Sequence, residues 1–407
     1  MYLIQTYFMT ILSSSLSRIK PSPTIAVTQK ARELKEKGVD VISLGAGEPD
    51  FDTPNNVKNA AIQAINNGET KYTAVDGTPK LKEAIINKFK RENGLAFTKD
   101  QINVGAGGKQ VIFNAILSTI NPGDEVLIPA PYWVSYPDIV LLAGGVPKIV
   151  VCSEKDKFKI TPNKIKDSLT DKTKWIILNS PSNPTGSCYS KNEIDAIADL
   201  LKDYPKVMIM SDDIYEHVVY DNFKFYTIAQ NKSVTERTLT INGVSKSYSM
   251  TGWRIGYAGG PKELIKAMAK IQSQSTTNPS SISQAAAVEA LNGDQSFIKE
   301  RSDAFKERRD FVVTELNKIP EIECINPEGA FYVFPSCKGC LGKSHNELGD
   351  IKTDTDFVSK LLESTGVAVV QGSAFGLEGF FRISYATSMQ NLEKAVKRIS
   401  EFCSKLS

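Results

Sequence analysis

The chain predicts an α/β fold, with a mainly parallel sheet in a large domain and a smaller α+β domain beside it. Three observations predict it. Helical patterns alternate with short strand-like runs from about residue 60 onward, those runs are apolar throughout, and the spacing between elements tightens in the last third of the chain. The runs at 125–128, 174–178, 207–210 and 239–241 end in Gly, Pro, Ser or Asn. A strand covered on one face alternates apolar and polar residues, whereas one covered on both faces does not. These four therefore belong inside a parallel sheet. Amphipathic stretches such as 191–202 are long enough to be the crossover helices between them. A long charged amphipathic stretch at 296–318 precedes an apolar run at 329–334. A helix around 354–364, the runs 367–370 and 380–385, and a final helix follow. This predicts a large domain over 56–295 and a smaller one over 296–407, which the N-terminal segment 1–55 joins.

Composition removes several functions. The 407 residues carry 49 Lys and Arg against 46 Asp and Glu, a net charge of +3, so no basic surface for nucleic acid is expected. Clusters such as Lys306-Glu307-Arg308-Arg309 sit at helical spacing and read as solvated helix faces. Six cysteines over this length suit reduced thiols in a cytoplasmic enzyme better than a disulfide framework. Cys337 and Cys340 form a solitary CxxC, and His345 falls outside zinc spacings, so no metal site is expected. The other histidine, His217, leaves too few for a histidine-rich metal centre and argues against a Ser-His-Asp hydrolase. Residues 1–16 are fairly apolar but lack a leading basic residue and are interrupted by Gln5, Thr6 and Thr10. They fit neither a signal peptide nor a membrane span, and Met9 offers a second start.

Chemistry collects where the strands end, which is where open α/β sheets bind ligands. Gly105-Ala106-Gly107-Gly108-Lys109-Gln110 opens a helical run, and glycines at a helix start let backbone N–H groups approach an anion. A tight structural turn explains the same residues equally well. Asp212 follows the run 206–210, where a buried carboxylate needs a partner or caps the next turn. Lys246 lies among small polar residues after the run 238–241. Alone it reads as a surface lysine; as a Schiff-base amine it needs burial or a cationic neighbour such as Arg254. Asn183 lies in a turn-forming segment, Pro181 to Gly186. Arg382 stands in an apolar strand and wants a carboxylate, from the protein or from a ligand.

The order of these segments carries more than any one of them. Asn-Pro-Thr-Gly, Ser-Asp-Asp-Ile-Tyr, Ser-Lys with Met-Thr-Gly-Trp-Arg-Ile-Gly, and Phe-Arg-Ile-Ser follow one another from Asn183 to Ser384. In that order they resemble the class I aminotransferases of pyridoxal 5'-phosphate (PLP) fold type I, from about Lys20 to the C-terminus. The stretches 45–51, 131–136 and 272–277 look like the bacterial branch that includes aspartate/prephenate aminotransferases. The resemblance implies a seven-stranded large domain, PLP held on Lys246, and Asp212 facing the ring nitrogen. Tyr215 and Asn183 would bond the phenolic oxygen and Trp133 would stack on the ring. Arg254, the Gly108 and Lys109 N–H groups, and Tyr72 from the neighbouring subunit of a homodimer would hold the phosphate. Arg382 would clamp the substrate α-carboxylate beside Gly47 and Asn183. Lys109, Thr24 and Lys20 would face its far end, Lys20 in connection with prephenate. Gly243 departs from the pattern, since many relatives carry a phosphate-binding hydroxyl there.

The activity so implied is transamination between aspartate and 2-oxoglutarate, with prephenate as a second acceptor. The same constellation serves other PLP chemistry, such as β-elimination, or another amino donor. A PLP-sensing regulator would need a DNA-binding region, and about twenty residues before Lys20 are too few. A nicotinamide oxidoreductase would leave Asp212 and Lys246 unexplained.

Overall fold

The computed structural model describes residues 11–21 and 23–407, and only the backbone of 23–26 and 28. The apolar segment 1–10 with Met9, and the side chain of Thr24, lie outside the described residues. The first strand, β1 (Ile42–Ser43), is short. Then come β2 (Ile102–Gly105), β3 (Glu125–Ala130), β4 (Val146–Val151), β5 (Thr173–Asn179), β6 (Met208–Asp212), β7 (Thr238–Gly243) and β8 (Gly256–Gly259). They form one seven-stranded sheet in the order β2-β8-β7-β6-β5-β3-β4. Strands β4, β3, β5, β6 and β7 are parallel, and β8 alone runs against both its neighbours, β7 and β2.

The continuous apolar runs are explained by two-sided burial. Trp175, Ile177 and Met210 pack into a core on one face, and Leu127, Ile176 and Ile209 into a second core on the other. The crossover helix Lys191–Leu201 begins at a capping box, with Ser190 and Glu193 satisfying each other's backbone N–H. The helix Pro79–Asn93 is capped by Thr78 and closed by Gly94, whose φ of 63° is the left-handed conformation a helix C-terminus requires. Among the strands of this sheet, only the edge strand β4 leaves large apolar side chains in the open, among them Val146 and Val151.

The C-terminal third forms smaller sheets. Strand β9 (Tyr332–Val333) is followed by the hairpin β10 (Ser344–His345) and β11 (Gly349–Asp350), then by β12 (Val367–Ala368), β13 (Val370–Gln371) and β14 (Phe381–Ser384). The run at 367–370 does not form the single strand the sequence suggests. Val367–Ala368 pairs in parallel with β1, while Val370–Gln371 pairs with β14, which continues to β9. One apolar run therefore serves two sheets. The helices Ser296–Leu316, Asp354–Thr365 and Met389–Cys403 cover these strands in one core with Ile42 and Leu44 from the N-terminal segment. Cys337 and Cys340 are buried in that core, with the Cys340 Sγ 3.9 Å from that of Cys403. No described helix is long and apolar enough to cross a membrane.

Candidate active site

The carboxyl ends of β5, β6 and β7 open into one cavity of about 820 Å³. Strand β6 ends on Asp212, which is buried. Its Oδ2 accepts a hydrogen bond of 2.5 Å from the Tyr136 hydroxyl, and its Oδ1 caps the following turn by accepting from the Ile214 N–H at 3.4 Å. Burial pushes the carboxyl above its ordinary value, while Tyr136, the Ile214 N–H and Lys246 pull it back. Such a group keeps its charge best beside a cation, and it faces the cavity. At the end of β5, Asn179 donates to the Asp212 carbonyl at 2.8 Å and accepts from the Asn183 N–H at 2.9 Å, tying two strand ends together.

Lys246 stands three residues beyond β7. Its ammonium donates to the Gly47 carbonyl and lies 5.7 Å from the Tyr215 ring centre. Its pKa falls from 10.5 to about 8, through burial first and the Arg382 guanidinium second, with Arg254 adding less and Glu48 and Asp212 opposing. Sequence reasoning named Arg254 as the cationic neighbour; in the fold, burial and Arg382 outweigh it. Ser249 (φ 51°) and Arg254 (φ 57°), in the loop that carries the lysine, are both left-handed, a strain that persists where surrounding structure imposes it.

An anion cradle lies at the start of the helix Gly108–Thr119. Gly107 adopts φ 88°, and a Cβ on Gly256 would sit 2.1 Å from the Gly108 nitrogen, so two glycines bring β8 against the helix start. Arg254 reaches the same place, donating to the carbonyls of Thr251 at 3.0 Å and Ala106 at 3.2 Å, neither of them a charge. The Lys109 ammonium lies 5.0 Å from the Trp133 ring centre, its pKa lowered by burial and by Arg254. Three charge-seeking elements thus converge on one spot, which favours the cradle over the plain turn. A Cβ on Gly243 would lie 3.0 Å from the Ile255 carbonyl and 3.1 Å from the Gly256 Cα, so a hydroxyl residue there needs the adjoining backbone to give way slightly.

Arg382, in β14, decides between the two partners foreseen for it. It is 3% exposed, and its guanidinium donates to the Asn183 Oδ1 at 2.8 Å and the Gly45 carbonyl at 2.5 Å. Its Nε has no partner, and among the described residues no carboxylate pairs with it. A ligand is therefore left to supply the acid. Tyr332 lies beneath it, 4.7 Å from ring centre to guanidinium, and its hydroxyl bonds that of Tyr215 at 2.7 Å. A side chain on Gly47 would strike that hydroxyl, its Cβ 2.7 Å away.

The cavity thus gathers Gly47, Gly108, Lys109, Trp133 and Asn183 with Asp212, Tyr215, Lys246, Arg254 and Arg382. It does not gather all the expected residues. Tyr72 is 92% exposed and outside the cavity, and Lys20 is exposed outside it too, its charge bearing on Asp138. Tyr136, Asn179 and Tyr332 were missed. The hydroxyl of a buried tyrosine needs a partner, but the sequence does not say which.

An amine with a lowered pKa, a buried carboxylate, an aromatic wall and an anion cradle fit a flat, phosphorylated aldehyde such as PLP. Fold and site together define the class of a PLP-dependent enzyme. Residues 39–399 match the family "Aminotransferase class I and II". The "Aspartate/prephenate aminotransferase" of Cereibacter sphaeroides is 59% identical over 98% of this chain and 100% of its own. The aspartate aminotransferase structure from Rhizobium meliloti superposes with a TM-score of 0.95 at 55% identity, covering 97% of this chain and 99% of its own. That of Thermus thermophilus with maleate gives 0.90 at 42%, covering 96% and 99%. The chain belongs to the class I and II aminotransferases. It is a PLP-dependent enzyme of fold type I that moves amino groups between amino acids and 2-oxo acids.

Proposed function

We propose that the protein transfers the amino group of aspartate to 2-oxoglutarate, giving oxaloacetate and glutamate in two half-reactions. We propose further that it accepts prephenate, giving arogenate. The observation that carries this is Arg382, a buried guanidinium without an acid, in the same cavity as Lys246. A buried unpaired charge is costly, and a substrate carboxylate offsets that cost by bidentate pairing. Relatives of nearly full-length similarity carry both substrates in their names.

Bound PLP supplies an electron sink for the carbanion at the substrate α-carbon. Lys246 Nζ holds the cofactor and then, as a free amine of lowered pKa, takes and returns the proton at that carbon. Asp212, fixed by Tyr136, supplies the anion that keeps the ring nitrogen protonated. Tyr215 and Asn183 would donate to the phenolic oxygen, and Trp133 would cover the ring. Arg254, the N–H groups of Gly108 and Lys109, and Tyr72 of the partner subunit bind the phosphate. Arg382 orients the α-carboxylate beside Gly47 and Asn183, while Lys109, with Thr24 and Lys20, serves the distal end. In this reading residues 56–295 are the cofactor-binding domain, residues 1–55 and 296–407 the second domain, and the enzyme is a cytoplasmic homodimer. The shared core of Ile42 and Leu44 with the C-terminal strands supports that division.

Steady-state transamination with aspartate as donor, and 2-oxoglutarate and prephenate as parallel acceptors, tests the substrates. No half-reaction with aspartate would sink the proposal, and no turnover of prephenate would remove its second part. The loaded enzyme is expected to absorb in the visible, and Lys246→Ala to lose that band.

A further inference from the structure

A second polar cluster lies behind the cavity and plays no part in the scheme above. Lys88, wholly buried on the helix Pro79–Asn93, donates to the carboxylate of Glu216 and to the Asn93 Oδ1 at 2.8 Å. Asn93 donates in turn to the Glu216 Oε2 at 2.9 Å. Asn242, near the end of β7, donates to the Glu216 Oε1 at 2.7 Å, and its own Oδ1 accepts from the Gly243 N–H at 2.7 Å. All four side chains are buried. Glu92 and His217 stand at the rim, 2.9 Å apart, with the Glu92 carboxylate 3.5 Å from Lys88. Glu92, Glu216 and His217 are close enough together to suggest a cation site, but Lys88 already supplies the cation.

The position of this cluster gives it a use. Glu216 directly follows Tyr215 and comes four residues after Asp212, while Asn242 comes four residues before Lys246. One carboxylate, on the segment that follows β6, is thereby bonded to the end of β7, from which the Lys246 loop departs. The sheet ladder aligns β6 and β7 as far as Asp212 and Ile241, and a buried ion pair with every acceptor filled adds a side-chain link just beyond it that holds one arrangement.

We propose that Glu216, neutralised by Lys88 and joined to Asn242, is a positioning residue that fixes Lys246 relative to Asp212 and Tyr215. The inference rests on the reading of Lys246 as the cofactor lysine. Glu216→Ala would strand the Lys88 charge and risks misfolding, so the informative variant is Asn242→Ala. It cuts the link to the end of β7, from which the Lys246 loop departs, and leaves the ion pair whole. A loosened loop changes how Lys246 is held against Asp212 and Tyr215, so the pH midpoint of the visible band of PLP-loaded Asn242→Ala is expected to shift from the parent's by about half a unit or more. Its kcat is expected to fall about tenfold, with KM for aspartate within about twofold of the parent. Hydrogen exchange at 243–249 in the cofactor-free protein is expected to quicken, reporting the loop without activity. A parent without the band overturns the cofactor reading, and this inference with it. A normal parent band with an unshifted Asn242→Ala overturns the inference alone, as does a lowered melting temperature with midpoint, kcat and exchange unchanged.

Discussion

Arg382 is held by acceptors that carry no full charge, so its worth depends on the substrate. Losing one partner of a buried charged pair costs about 2–5 kcal/mol, roughly 30-fold to several thousandfold in affinity. Arg382→Lys keeps the charge but not the two-pronged donor geometry. Its kcat/KM for aspartate is expected to fall within that range while the visible band of bound PLP remains; an unchanged kcat/KM would remove the clamp. Lys246 makes a different prediction in the cofactor-free protein. Its pKa is 10.5 when exposed and about 8 in the fold. Below pH 8 the amine is protonated in both states and the fold bears the whole cost of burying its charge. Between the two values the unfolded chain binds the extra proton, so stability rises with pH there and levels off above 10.5. At pH 7 cofactor-free Lys246→Met is therefore expected to exceed the parent in stability by up to about 3 kcal/mol. Denaturant unfolding should show the gap closing as pH climbs from 8 to 10.5, and a constant gap would mean the lysine is not desolvated.

The cradle is a property of elements, because it exists only where β8 presses on the start of the helix Gly108–Thr119. With 2.1 Å between a Cβ on Gly256 and the Gly108 nitrogen, Gly256→Ala must separate strand from helix. Overpacking of this kind costs about 1–3 kcal/mol, and here it also displaces the phosphate-facing N–H groups. The variant is expected to melt lower and to release PLP more readily, measured by dialysis and recovery of the visible band; unchanged cofactor affinity would show that the contact does not shape the cradle. This element was hard to read in the sequence. Strands β3, β5, β6 and β7 announce themselves because both their faces are buried. Strand β8, Gly-Tyr-Ala-Gly, has no apolar run, and its small residues serve close approach instead. Asp212 and Arg382 were legible because a charge beside or within an apolar run requires an explanation, whereas Lys246, among small polar residues, was legible only through the order of the motifs around it. Tyr136 and Tyr332 were not, since tyrosine is ordinary core until its hydroxyl finds a partner. Glu216 was not, since its partners Lys88, Asn93 and Asn242 come from distant parts of the chain.

At the scale of the whole molecule, Tyr72 stays apart from the cavity. It is 92% exposed, an unusual position for a large aromatic side chain, and a neighbouring subunit is what the functional proposal places against it. A shared site has a consequence that no single-chain site can imitate. Suppose Tyr72→Phe and Lys246→Ala chains are each weakly active or inactive as homodimers. In a mixed dimer, one site then combines the intact Lys246 of the first chain with the intact Tyr72 of the second. The other site combines both lesions. Random re-pairing of equal amounts makes half the dimers mixed, so about a quarter of all sites are whole. If Tyr72 acts within its own chain, mixing repairs nothing, because every site keeps the lesion of its own subunit. Co-refolding the two variants and assaying aspartate transamination separates the cases. The expected result is activity well above the mean of the two homodimers, tracking the fraction of mixed dimers found by sedimentation of differently tagged chains. Activity equal to that mean, with mixed dimers present, would assign the phosphate to residues of one chain alone.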